Sequence, residues 1–145
     1  MTGTTYLCLS SDAGEYIGQG RNWIYTAPAA QFTGSSYDGL VAFFVKQDTA
    51  DWNLTFAPPE GQPLALGLYD RAEHATSHGP LRPGLEIRGM ARNCERVTGR
   101  FEILEFSYSY ATGTVRRFRA NFEQHCEGNA PALLGTIHFD ASATP

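Results

Sequence analysis

The sequence predicts an all-β chain: one domain over residues 1–145, folded as an antiparallel two-sheet sandwich of jelly-roll type, with a closed β-barrel as the alternative. Three observations carry this expectation. Residues 100–140 read as two long strands, a break at Ala111-Thr112-Gly113 and a third strand, with Phe118, Ala120, Phe122 and Cys126 at even offsets on one face. Gly (15) and Pro (8) are spread along the chain and aromatics reach 12%, which suits short strands joined by many turns. Apolar runs recur at about ten-residue spacing, and no long segment keeps a helical period.

Each element follows from its local pattern. Residues 4–10 alternate as a first strand, with Cys8 expected as a small buried hydrophobe. Residues 11–20 form a Gly-rich loop carrying Asp12 and Glu15, and 21–26 a second strand with Trp23 and Tyr25 on one face. A turn through Pro28 leads to a short segment beginning at Phe32. Residues 37–46 are strongly apolar and read as a central strand; 51–57 alternate so that Trp52, Leu54 and Phe56 point to the core. Pro58, Pro59 and Pro63 interrupt any ladder, because proline lacks the donor. A short strand is expected over 64–69, then a polar stretch whose best helical candidate is 71–77, then a strand over 85–90 and a loop over 91–98. In the hairpin, Phe101 and Ile103 have one parity but Phe106, Tyr108 and Tyr110 the other; a β-bulge at Leu104-Glu105 returns these aromatics to one face. Residues 132–140 make the last strand, and the remaining tail is expected to fray.

Charge and composition narrow the function classes. A net charge of −4 and a pI near 5.5 argue against nucleic acid as a partner, since phosphate binding needs clustered basic residues. The local exception is Arg116, Arg117 and Arg119; Arg117 and Arg119 are expected to face solvent and pair with Glu102 or Glu105 across the hairpin. No apolar run approaches the roughly 18 residues of a membrane-spanning helix. The opening MTGTTYLCLS lacks the features of a signal peptide. Of the three cysteines, Cys94 and Cys126 sit beside loops, and a bridge between them is favoured over free thiols; a bridge points to an oxidising, exported setting.

Catalytic signatures are absent: G-x-S-x-G, HExxH, phosphate-loop and dinucleotide patterns are all missing. His125 and Cys126 are neighbours in a strand and point to opposite faces, which defeats a thiol–imidazole pair. His74 and His78 have the spacing of a transition-metal pair on a helical turn, with Glu73 as a third ligand; a solvated loop is the favoured reading. Asp12 and Glu15 are weak candidates for calcium, against the plainer reading of a turn. The richest functional material is an aromatic and polar group in and after the Gly-rich loop: Asp12, Glu15, Tyr16, Gln19, Arg21 and Trp23. Sugars offer C–H faces to aromatic rings and hydroxyls to carboxylates, amides and guanidinium groups, so this mixture suits a glycan.

The run 11–20, Ser-Asp-Ala-Gly-Glu-Tyr-Ile-Gly-Gln-Gly, resembles an S-D-x-G-D-Y-I-G-x-G opening, departing at Glu15. Residues 122–128, Phe-Glu-Gln-His-Cys-Glu-Gly, resemble a closing F-x-Q-H-C-E-G motif, and Asn93-Cys94 with 98–101 resembles the segment between. Together they are similar to a family of uncharacterised bacterial domains found in exported proteins. The resemblance implies an exported β domain with Cys94 and Cys126 paired; it implies no substrate.

The expected function is a non-catalytic binding module for carbohydrate, lectin-like, with no certain cofactor and calcium as a candidate. The alternative is a structural or adhesion domain of an exported protein. A glycosidase comes third, since it needs two of Asp12, Glu15, Asp38, Asp51 and Asp70 facing each other across a pocket.

Overall fold

The computed structural model describes residues 4–109 and 111–141; Tyr110, named above among the hairpin aromatics, and residues 142–145 of the tail lie outside the described residues. Ten strands follow in chain order: β1 (Tyr6–Ser11), β2 (Asn22–Thr26), β3 (Gln31–Tyr37), β4 (Leu40–Gln47), β5 (Ala50–Ala57), β6 (Gly67–His74), β7 (Gly84–Gly89), β8 (Val97–Ser109), β9 (Thr114–Cys126) and β10 (Leu133–Asp140). They form one mixed sheet, ordered β2-β1-β10-β9-β8-β6-β7-β5-β4-β3 and curled into a half-barrel of sandwich type. All pairings are antiparallel except β6 with β7, which meet only at Glu73–Gly84 and His74–Leu85. The ends of the order, β2 and β3, are consecutive in sequence and are not paired with each other, so the sheet does not close into a barrel.

The core lies between the two halves. Phe43 and Phe56 of β4 and β5 pack across it on Phe101, Phe118, Phe122 and Phe139 of β8, β9 and β10, with ring centroids 5.0–6.0 Å apart. Burying a phenylalanine contributes roughly 1.5–3 kcal/mol, so this aromatic layer holds the halves together. Trp52 is fully buried, as its alternation with Leu54 and Phe56 implies; its ring meets Trp23 edge-on at 5.4 Å and its Nε1 donates to Tyr25 Oη at 2.8 Å. Gly135 faces Phe122 across the β10–β9 ladder, and a Cβ there would lie 2.4 Å from the ring, so glycine lets the ring cover β10.

The long hairpin contains the expected bulge. Ile103 pairs with Ala120 and Glu105 with Arg119, which leaves Leu104 as the extra residue and brings Phe106 opposite inward-facing Phe118. A second bulge sits in the other strand: Ser107 pairs with Arg117 and Tyr108 with Val115, so Arg116 is the extra residue. Arg117 pairs with Glu105 as expected, its Nε 3.1 Å from Oε1.

Three expectations are corrected. The helical candidate at 71–77 is strand as far as His74: Ala72 is buried and opposite Gly99, and pairing with β8 outweighs the weak local helix preference. Residues 37–46 do not form a central strand; a turn at Asp38-Gly39 divides them, and β4 lies next to the end of the sheet order. Cys8 is free and only partly buried, because Leu7 and Leu9 take the inward positions.

Candidate functional site

The Gly-rich loop is a closed, self-bonded structure. The Glu15 carboxylate is 3% exposed and points into it. Its Oε1 accepts from Ser11 Oγ (2.9 Å) and the Gly18 N–H (2.7 Å), and its Oε2 from the Ile17 N–H (2.8 Å). Ser11 Oγ in turn accepts from the Gly20 N–H at 2.9 Å. Glycine is required at position 18, since a Cβ would stand 2.6 Å from Ser11 Cβ. Asp12 fixes the loop to the segment before β10: its Oδ2 accepts from the Ala132 N–H at 2.9 Å, while its own N–H donates to the Ala132 carbonyl, also at 2.9 Å.

The six candidate ligand residues therefore divide. Glu15 is used by the loop itself, and Trp23 leans inward, donating to the Gly18 carbonyl at 3.0 Å and packing on Trp52. Asp12, Tyr16, Gln19 and Arg21 face solvent, and Tyr16 is 51% exposed. The Gln19 amide donates to the Tyr16 carbonyl, which braces the backbone beneath that ring.

A neighbouring hollow completes the region. The Arg92 Nε donates to the Ile17 carbonyl at 2.9 Å, clasping the loop to the turn after β7. That turn, with Asp51 and Asn53 of β5 and Arg88 of β7, lines a hollow of about 360 Å³ that also includes Arg92 and Asn93. Register explains the grouping, since Asn53 lies opposite Arg88 across the β5–β7 ladder. Gly89 at the floor leaves no space for a side chain: a Cβ would lie 2.5 Å from the Trp52 ring. Met90 and Ala91 hold φ of 54° and 63°, a left-handed conformation that costs non-glycine residues about 1–2 kcal/mol each. Such strain persists where surrounding bonds impose it, and it collects at functional sites. Here the Met90 N–H donates to the Asp51 carbonyl at 3.1 Å, and the Gly89 and Arg92 backbones bond each other at 2.9 and 3.1 Å.

The histidines are committed to other partners. His74 ends β6; its Nε2 lies 3.2 Å from Glu86 Oε2 and its Nδ1 accepts from the Thr76 N–H at 3.2 Å. His78 Nδ1 donates to the carbonyls of Gly79 (3.0 Å) and Arg82 (2.7 Å), and Glu73 Oε1 accepts from the Gly79 N–H at 2.7 Å. No group of three His, Cys, Asp or Glu side chains placed for a metal occurs among the described residues. Of the glycosidase acids, Asp51 lines the hollow above and Asp38 a different one.

His125, at the end of β9, lies with Nε2 2.7 Å from Glu123 Oε2 and Nδ1 2.9 Å from the Asn129 carbonyl. The bond to Glu123 raises its pKa above the ordinary histidine value, burial opposes the rise, and the Asn129 carbonyl adds to it. A raised folded pKa contributes stability that is complete below the unfolded value of about 6.5 and fades as pH rises through the folded one. The melting temperature of wild type should thus exceed that of a His125→Gln variant most below pH about 6.5, the gap narrowing at higher pH. Calorimetry over that range tests this, and a gap that widens with pH contradicts it.

Of the residues that line the hollow, Asp51 enters the sequence reading only as one of five glycosidase acids and Asn93 only as the neighbour of Cys94; nothing in the sequence groups them with Asn53 and Arg88, which lie on β5 and β7. Compared with known proteins, the chain matches no family model, no curated protein and no solved structure.

Proposed function

We propose that the chain is a non-catalytic binding module of an exported protein, and that it takes carbohydrate at the hollow beside the Gly-rich loop. One observation carries the reading: Arg92 clasps the loop one residue after the exposed Tyr16 ring, and it also lines a hollow containing a carboxylate, two amides and a second guanidinium. Polar groups of this kind bond sugar hydroxyls, and an aromatic ring accepts a sugar's C–H face. Ligand sites combine such convergent polar groups with an apolar surface. Calcium has no part in the proposal, because Glu15 directs both carboxylate oxygens at protein donors. The export half of the reading is supported by the Cys94–Cys126 disulfide, a feature of oxidising compartments, and no helix among the described residues is long and apolar enough to cross a membrane.

A glycan array followed by titration calorimetry tests this. Binding to at least one glycan is expected, unchanged by EDTA. Asn53→Ala should weaken it about tenfold, the loss of roughly one good hydrogen bond, and Tyr16→Ala should weaken it as well. No binding to any glycan at millimolar concentration, or binding indifferent to both substitutions, would favour a purely structural or adhesive domain.

A further inference from the structure

β3 closes the sheet order on one side, and its outward edge carries no strand. Asp38 and Gly39, with φ of 51° and 79°, form a two-residue turn to β4, closed by the Tyr37–Leu40 pair. In such a hairpin the closing pair is hydrogen-bonded, and bonded and unbonded pairs then alternate. Gln31, Thr33, Ser35 and Tyr37 thus direct their backbone groups at β4, while Phe32, Gly34 and Ser36 direct theirs outward. None of these three has a further backbone partner among the described residues.

Natural edge strands are usually protected by charge, proline or a bulge. The β3 sequence, Gln-Phe-Thr-Gly-Ser-Ser-Tyr, has no charge and no proline, and its register with β4 is unbroken. A hollow of about 850 Å³ adjoins Phe32, Thr33 and Gly34. Successive strand residues point to opposite faces, so a space that touches all three runs along the strand's edge rather than over one face. Its other wall holds Val115, Arg116 and Arg117 of β9 and Phe139 and Asp140 of β10. Arg116 is the bulge residue of β9; it is exposed and forms no ion pair among the described residues. Bulges re-aim side chains in this way beside binding sites. The adjacent Arg117 is partly engaged, with Nε 3.1 Å from Glu105 and 3.8 Å from Asp140.

We propose that this edge is a peptide-binding site, which takes an extended acidic segment of another protein as an added strand. The segment's backbone bonds the outward N–H and C=O groups of Phe32 and Gly34, and one of its carboxylates meets Arg116. Charge selects this occupant over a second copy of the chain joined through β3, because β3 carries no acid to offer Arg116.

The probe is an end-capped pentapeptide, Thr-Val-Glu-Val-Thr, compared with its Gln analogue by amide NMR on the isotope-labelled protein. The Glu peptide should shift the amides of Phe32 and Gly34 and slow their hydrogen exchange, leaving exchange at Thr33 and Ser35 unchanged. The Gln analogue should bind at least fivefold more weakly, and Arg116→Gln, at an exposed position, should abolish the difference. Equal binding of the two peptides, or shifts confined to other surfaces, overturns the proposal. Protection of Phe32 and Gly34 without peptide, rising with protein concentration alongside a dimer mass in light scattering, overturns it in favour of self-pairing. The readout is independent of glycan binding, because Tyr16 and Asn53 do not line this hollow.

Discussion

Gln124→Met should lower the free energy of unfolding by about 2–6 kcal/mol, the cost of leaving a buried donor and a buried acceptor unpaired at about 1–3 kcal/mol each. β6 pairs with β7 only as far as Leu85, so beyond it the backbone of β7 has no strand on that side. Ile87 lies there, 1% exposed. Gln124, fully buried on the facing half, supplies the missing partner: its Oε1 accepts from the Ile87 N–H at 2.7 Å and its Nε2 donates to the Ile87 carbonyl at 2.8 Å. The side-chain amide stands in for the peptide unit of an absent strand and ties β9 to β7 through the core. Methionine keeps the length and volume but neither polar group, so the loss measures the clip rather than a cavity. Gln124→Glu is the control. Ionised, it keeps an acceptor for the N–H but turns a second acceptor towards the carbonyl; protonated, it regains a donor. It should therefore recover stability relative to wild type as pH falls. Urea unfolding followed by tryptophan fluorescence gives both values, and a loss under about 1 kcal/mol for methionine would show that water or a backbone shift satisfies Ile87.

Gln124 also shows what could be read from the chain and what could not. The strands were legible because alternation is local: Trp52, Leu54 and Phe56 are buried where their parity puts them, and the mismatch between Ile103 and Phe106 located the Leu104 bulge. The Arg116 bulge had a fainter signal, the three-residue step from Val115 to Phe118 across two arginines. The strand through 71–74 had none, since its pairing with β8 is set by distant residues. The noticeable motifs were found, but the use of their residues was not. Asp12 and Glu15 have the same chemistry and lie in one loop, yet Glu15 turns inward to the Ile17 and Gly18 N–H groups while Asp12 reaches Ala132, a partner 120 residues away. In the closing motif Gln124 is a clip, and Glu127 accepts from the N–H groups of Glu95 (2.7 Å) and Arg96 (3.1 Å). The hollow was invisible for the converse reason: its side chains are ordinary, and only the β5–β7 register and the Arg92 clasp bring them together.

Removing the Cys94–Cys126 bridge, by reduction or by the double substitution Cys94→Ala and Cys126→Ala, should cost about 3–4 kcal/mol from loop closure across the 32-residue separation. The effect acts mainly on the unfolded chain, so the native fold should persist. Glu127 still holds the same junction, its N–H donating to the Arg96 carbonyl at 2.8 Å and its carboxylate capping Glu95 and Arg96. Urea unfolding with and without reductant tests this, and a difference under about 1 kcal/mol would mean that the reduced chain is already constrained when unfolded. The bridge has a second, local effect. Cys94 follows Asn93 directly, and Asn93 and Arg92 form one wall of the proposed sugar hollow, so the disulfide anchors that wall to the end of β9. Reduction should weaken glycan binding in folded protein while leaving peptide binding at the β3 edge unchanged, because the residues that line that edge's hollow include neither cysteine nor any residue of the turn before Cys94. Equal loss at both sites would show that the bridge holds the whole sheet rather than this wall.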